Sequence, residues 1–204
     1  RQYQISVRNL QTGEWLADRI ENTSGDIVWS ADSAGFFYVR LDEETLLPYQ
    51  VWYHKLGSET AQDKLVYEEA DNTYYLHISH SRSEEYLLIS LSSTLSTEVH
   101  LLSLNTPQGT PTVFLARRRG HEYGVDHFQQ HFYVRSNREG RNFALYQATD
   151  GAEQYWQCLL PVRDAILLQD FLLFRNALFV EEREAGLTCL RQLDLQGQEV
   201  RTIA

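Results

Sequence analysis

A pattern of four short strands recurs along the whole chain, and no stretch between the copies has the period of a helix. One strand of each copy anchors it: Phe37-Tyr38-Val39-Arg40, Tyr86-Leu87-Leu88-Ile89, Phe132-Tyr133-Val134-Arg135 and Leu178-Phe179-Val180-Glu181. The first residues of these groups are 49, 46 and 46 positions apart. A unit of that length makes one small twisted sheet, which cannot bury both of its faces alone and must stack on a neighbour. The period therefore predicts an all-β chain of propeller blades, each an up-and-down meander of four strands.

Complete blades are expected over residues 24–70, 71–116, 117–161 and 162–204, after a half blade over 1–23. The half blade is a hairpin of residues 3–9 and 15–20 joined across Gln11-Thr12-Gly13, read as the last two strands of a preceding blade. In the last blade Gln169-Asp170 interrupts the apolar stretch, so residues 166–168 and 171–174 read as two pieces. Trp29, Tyr38, Trp52, Tyr86, Phe132, Tyr133, Trp156 and Phe179 are expected to fill the layers between blades. In a meander, the loops after the second strand and the connections to the next blade emerge at one end. The loop 41–48 and the connection 68–73 should therefore share a face, as should 137–142 and 117–122.

The 204 residues carry 28 acidic and 18 basic side chains, for a formal charge of −10. This argues against nucleic acid as a partner, because phosphate contacts need clustered Lys and Arg. It suits basic ligands instead. No apolar run approaches the roughly 20 residues of a membrane-spanning helix. Cys158 and Cys189 are too few for a disulfide scaffold and lack metal spacing, so both are expected to be free, buried thiols. The chain contains no Met and starts on an alternating, strand-like segment, which reads as a piece of a longer protein.

No G-x-S-x-G elbow is present, and Ala31-Asp32-Ser33-Ala34-Gly35 reads as a turn between strands. His77 with His80, and His127 with His131 beside Asp126, have ligand-like spacing, but in strands that spacing crosses a turn. Neither a metal nor a cofactor is expected. The densest basic segment is Arg117-Arg118-Arg119, followed by His121 and Glu122, and Arg forks suit a carboxylate-bearing ligand or a neighbouring domain. Its acidic counterpart is Glu68, Glu69 and Asp71. Both groups are candidate substrate or interdomain contacts, with solvation of the surface as the competing role.

Several strings go beyond a general propeller. Leu47-Pro48-Tyr49-Gln50-Val51-Trp52, Gln62-Asp63-Lys64-Leu65-Val66-Tyr67-Glu68-Glu69, His121-Glu122-Tyr123 and Gly186-Leu187-Thr188-Cys189-Leu190-Arg191-Gln192 resemble the propeller of the prolyl oligopeptidase family, in its oligopeptidase B (protease II) branch. The resemblance implies a seven-bladed propeller capping an α/β-hydrolase domain in a bacterial serine oligopeptidase. It further implies cleavage of short peptides after Arg or Lys, with the propeller gating and size-filtering substrate entry. The catalytic triad would lie in the hydrolase domain of the same parent chain, so no catalytic residue is assigned here. A cytoplasmic location is expected, with the periplasm as the alternative, and exposed blade faces invite self-association. The competing reading is a free-standing propeller acting as an interaction scaffold.

Overall fold

The computed structural model describes residues 1–203, which form seventeen strands in four antiparallel sheets. The helical content is two single 3₁₀ turns, Thr60–Gln62 and Glu153–Tyr155. The described chain divides into two compact units.

The first unit comprises residues 1–94 and 98–116. One of its sheets orders β1 (Tyr3–Arg8), β2 (Trp15–Trp29), β3 (Gly35–Leu41), β4 (Pro48–Lys55) and β5 (Lys64–Glu68) consecutively. The other orders β6 (Tyr75–His80), β7 (Tyr86–Ser92), β8 (Thr97–Ser103) and β9 (Thr112–Leu115). A single apolar layer joins them, with Val28, Phe37, Val39, Val51 and Tyr53 of the first sheet meeting Leu76, Ile78, Leu87, Ile89, Leu91 and Leu102 of the second. β3 and β7 are covered on both faces, so they read as nearly continuous apolar runs instead of alternating.

The second unit holds residues 95–97 and 117–204. Its sheets are β10 (Tyr123–Phe128), β11 (His131–Ser136), β12 (Ala144–Ala148) and β13 (Gln157–Leu160), then β14 (Ile166–Phe174), β15 (Ala177–Glu184), β16 (Leu187–Leu193) and β17 (Glu199–Ile203). Tyr133, Leu145 and Leu160 pack on Leu168, Leu173, Leu178, Val180 and Leu193 in the equivalent layer. The two pieces expected around Gln169-Asp170 are one strand whose pairing with β15 slips between Leu168 and Asp170. A bulge absorbs the polar pair without ending the strand.

The N-terminal hairpin is present, but its second strand runs unbroken into the first strand of the following sheet. The result is the 15-residue β2 and a five-stranded sheet. The ladder between β2 and β3 holds at Thr23 opposite Arg40 and resumes only at Ile27 opposite Tyr38. Asn22 (φ 58°) and Gly25 (φ 96°) supply left-handed backbone beside this gap, which lets one strand serve two pairings.

Three expectations need correction. Trp29 is 44% exposed and meets Phe36 in a T-shaped contact at 5.2 Å between ring centres. Tyr38, Phe132 and Tyr133 are buried as expected, whereas Trp52, Tyr86, Trp156 and Phe179 are half-buried. Both cysteines are free, but Cys158 is exposed and Cys189 half-buried, since β13 and β16 lie toward the outer edges of their sheets.

A buried polar cluster centred on His54 lies inside the first unit. His54 on β4 is fully buried, with Nε2 2.9 Å from Asp18 Oδ1 on β2 and Nδ1 2.7 Å from Asp63 Oδ1 just before β5. The Gly57 N–H donates to Asp18 Oδ1 (2.6 Å), and the Tyr38 hydroxyl of β3 donates to Asp63 Oδ2 (2.8 Å). An ionised carboxylate only accepts, so with both carboxylates charged the ring must donate from both nitrogens.

Truncating Leu178 to Ala, at a fully buried position in the layer of the second unit, should cost about 2–5 kcal/mol. Urea unfolding of wild type and variant reads this directly, and a loss below about 1 kcal/mol contradicts the layer's role. A second expectation concerns Asp18. Burial pushes its carboxyl up, but the bonds from His54 and Gly57 outweigh that and leave it below its ordinary value. A lowered folded value means that the stabilisation is complete above the unfolded value of about 3.9 and is lost as pH falls through the folded one. The part of the stability gap between wild type and Asp18→Asn that Asp18 carries should therefore shrink below about pH 4, as denaturation series at stepped pH would show.

Candidate functional site

The loop between β3 and β4 and the connection leaving β5 meet in one cleft of about 300 Å³, as the meander geometry requires. Asp42, Glu44, Glu68, Glu69 and Asp71 line it beside Tyr49 and Tyr74. Most of these carboxylates also shape the loops. Asp42 Oδ1 accepts the Thr45 N–H (2.8 Å), the Thr45 hydroxyl (2.8 Å) and the Glu44 N–H (3.1 Å), which together hold its carboxyl below the usual range. These bonds fix the tight turn that ends with Leu46 at φ 60°. Glu69 accepts the Asp71 N–H (2.8 Å) and the Tyr67 hydroxyl (3.1 Å), and Asp71 accepts the N–H (3.0 Å) and hydroxyl (2.7 Å) of Thr73. Glu68 is exposed and accepts from the Gln50 amide. Glu68, Glu69 and Asp71 are thus brought together, and Asp42 and Glu44 join them from a loop that the sequence reading had placed on the same face without assigning it a site. The cleft can attract a cation, but it has no buried, convergent set of donors and acceptors for catalysis.

In the second unit the basic segment is largely engaged by its own neighbours. Arg118 forks onto Glu153 with two N–O distances of 2.7 Å, and Arg138 donates to the Glu153 carbonyl (2.8 Å) while lying over Tyr146 and Trp156. Arg117 is half-buried. Arg119 is exposed and has no ion-pair partner among the described residues. His121 is buried against Tyr123, with Nε2 2.7 Å from the Ser136 hydroxyl. Burial first, and then the Arg118 charge, push His121 below its ordinary pKa, which favours the neutral ring. The Glu122 N–H donates to Asn137 Oδ1 (2.9 Å), and Asn137 Nδ2 returns a bond to Glu122 Oε1 (3.4 Å). Arg118, His121 and Glu122 therefore brace loops, and the segment presents little uncommitted positive charge.

The histidine pairs are dispersed. His77 is exposed, and His80 Nδ1 lies 3.0 Å from the Ser81 carbonyl. His127 is buried against Phe132, while His131 Nδ1 bonds the Gln129 carbonyl (3.0 Å). Among the described residues no group of three His, Cys, Asp or Glu side chains could hold a metal ion. Ser33 occupies a tight turn at φ 55°, with Asp32 Oδ1 accepting the Ala34 N–H (3.0 Å) and the Ser30 hydroxyl (2.7 Å). The Asp18–His54–Asp63 group escaped the sequence reading, because 36 residues separate Asp18 from His54 and only the strand pairing joins them.

The chain matches the family model described as the prolyl oligopeptidase N-terminal beta-propeller domain over residues 1–204. It is 38% identical to dipeptidyl aminopeptidase BI of Pseudoxanthomonas mexicana, covering 97% of this chain and 28% of that protein. It is 31% identical to Protease 2 of Moraxella lacunata, covering 91% of this chain and 27% of that protein. Among solved structures, oligopeptidase B from Leishmania major superposes with a TM-score of 0.87 at 28% identity, over 95% of this chain and 28% of that one. The chain thus spans little more than a quarter of the length of these relatives. Sheet order, repeat and sequence agree: the chain belongs to the prolyl oligopeptidase family and is part of its N-terminal β-propeller domain.

Proposed function

We propose that this chain is the non-catalytic propeller segment of a cytoplasmic serine oligopeptidase, which cleaves short peptides after Arg or Lys and uses the propeller to admit and size-filter its substrates. Membership of the peptidase family and the identity to Protease 2 support the reading. The observation that carries the substrate class is the acidic cleft of the first unit, whose five carboxylates face no Lys or Arg among its lining residues. With a chain charge of −10, such a surface raises the local concentration of cationic peptides and speeds their arrival. The segment contributes encounter, and the bond-breaking groups belong to an α/β-hydrolase domain of the parent.

The higher identity to dipeptidyl aminopeptidase BI supports a second reading, in which the parent removes dipeptides from peptide N-termini. An acidic entry suits that substrate as well, because every free N-terminus is cationic at neutral pH to an extent set by a pKa near 8.

Kinetics of the full-length parent test both readings. Glu69 and Asp71 hold their loop together, so the substitutions of choice are Glu44→Gln and Glu68→Gln, at exposed carboxylates. The double variant should lower kcat/KM for peptides with several basic residues more than for singly charged ones, with kcat unchanged and a shallower salt dependence. Equal kcat/KM and equal salt dependence for both peptide classes would reduce the acidity of this face to a solubility feature. Product analysis separates the readings: internal cleavage after Arg or Lys supports the first, and stepwise dipeptide release the second.

A further inference from the structure

Within the second unit, Arg135 of β11 is a charged side chain that the fold leaves short of partners. It is half-buried and reaches across to the neighbouring sheet, where its Nε donates to the Leu168 carbonyl of β14 (2.7 Å). Its guanidinium carbon lies 3.5 Å from the centre of the Phe143 ring. Among the described residues no carboxylate comes within ion-pair distance of it, and its two Nη groups make no hydrogen bond. Burial pulls its pKa below the ordinary value, and the charges of Asp170 and Glu122 offset this only from further away. Both carboxylates have nearer donors, the Phe171 N–H for Asp170 and the Asn137 amide for Glu122. A guanidinium taken partly out of water and left without an anion is costly, so its free donors call for a partner from outside the unit.

Directly opposite Arg135 on β10 stands Gly124. Its backbone is not left-handed, so conformation does not demand glycine there, and a Cβ at this position would meet no atom within 4 Å. Opposite partners share a face of the sheet, so the missing side chain leaves space next to Arg135, as glycine does where a ligand comes close to a strand. Gln169, the extra residue in the bulge of β14, follows the carbonyl that Arg135 binds, and its buried Oε1 has no hydrogen-bond partner among the described residues. We propose that these groups form a subsite for the C-terminal carboxylate of a peptide, with the Arg135 Nη groups donating to the carboxylate and Gln169 Oε1 accepting a peptide N–H. The planar fork of Arg matches a carboxylate bidentately. A C-terminal carboxyl, with a pKa of about 3.3–3.7, is an anion that every peptide carries at neutral pH, whatever its sequence. The inference rests on the peptidase reading above and deepens it: a free carboxylate marks the end of a short peptide, and the interior of a longer polypeptide cannot supply one.

The test compares one short peptide, as its free acid and as its C-terminal amide, on the full-length parent. In wild type the acid should have the lower KM, although the amide is the more cationic. In Arg135→Ala the KM of the acid should rise by about tenfold or more, the scale of hydrogen bonds to a charged group, while kcat and the KM of the amide hold. That variant also loses the bond to Leu168, so Gly124→Val is the second one. It keeps Arg135 in place, suits a strand and fills the space, and it should abolish the preference for the acid as well. Equal KM values for acid and amide in wild type, or a preference that survives in either variant, would overturn the proposal. So would an equal rise for both peptides, the result expected if Arg135 meets a carboxylate of the parent itself. Product analysis keeps the two readings apart: the acid-to-amide ratio reads the subsite wherever the cut falls, and a parent that cleaves neither peptide overturns both.

Discussion

Each unit of this chain depends on one apolar layer between two consecutive sheets. Neither sheet could persist alone: β3 and β7 bury side chains on both faces, so each would leave one face wet if its partner were removed. The layer explains the strand composition as well as the stability. β2 and β6 alternate buried and exposed positions and carry exposed aromatics such as Trp29 and Tyr75, whereas β3 carries the unbroken buried run Phe36-Phe37-Tyr38-Val39. The loops, freed from packing, can then carry charge.

That division of labour sets the functional reading. Carboxylates at the β3–β4 loop and after β5 accept hydrogen bonds from their own backbone, and the same bonds point the remaining charge into a shared cleft. The basic segment of the second unit is a contrasting case, because Arg118 meets Glu153 and Arg138 stacks on aromatic rings. An exposed pair of this kind contributes little to stability. It does, however, offset the charge of one of the three arginines in the run.

The repeat was legible because its cause is local: a strand buried on both faces must be largely apolar, and three such strands, β3, β7 and β11, recur at the predicted spacing, with the alternating β15 in the fourth place. The shared face of loops 41–48 and 68–73 followed from the meander alone. Three features were hidden for physical reasons. Residues 21–26 look like a polar turn, yet Asn22 and Gly25 let the strand continue through them. Gln169-Asp170 looks like a break, yet a bulge accommodates it. The partners of His54 come from β2 and from the loop before β5, so no spacing in the chain announces them; they meet only because the register of three strands aligns them.

The dependence of each sheet on the next is open to one direct measurement. Ile89 is fully buried in β7 and belongs to the layer shared with β3. In Ile89→Ala, native-state hydrogen exchange of the β3 amides should accelerate by the same factor as that of the β7 amides, since the two sheets open together. Acceleration confined to β6–β9, with β3 as protected as in wild type, would show that the sheets are independently stable and would contradict the account.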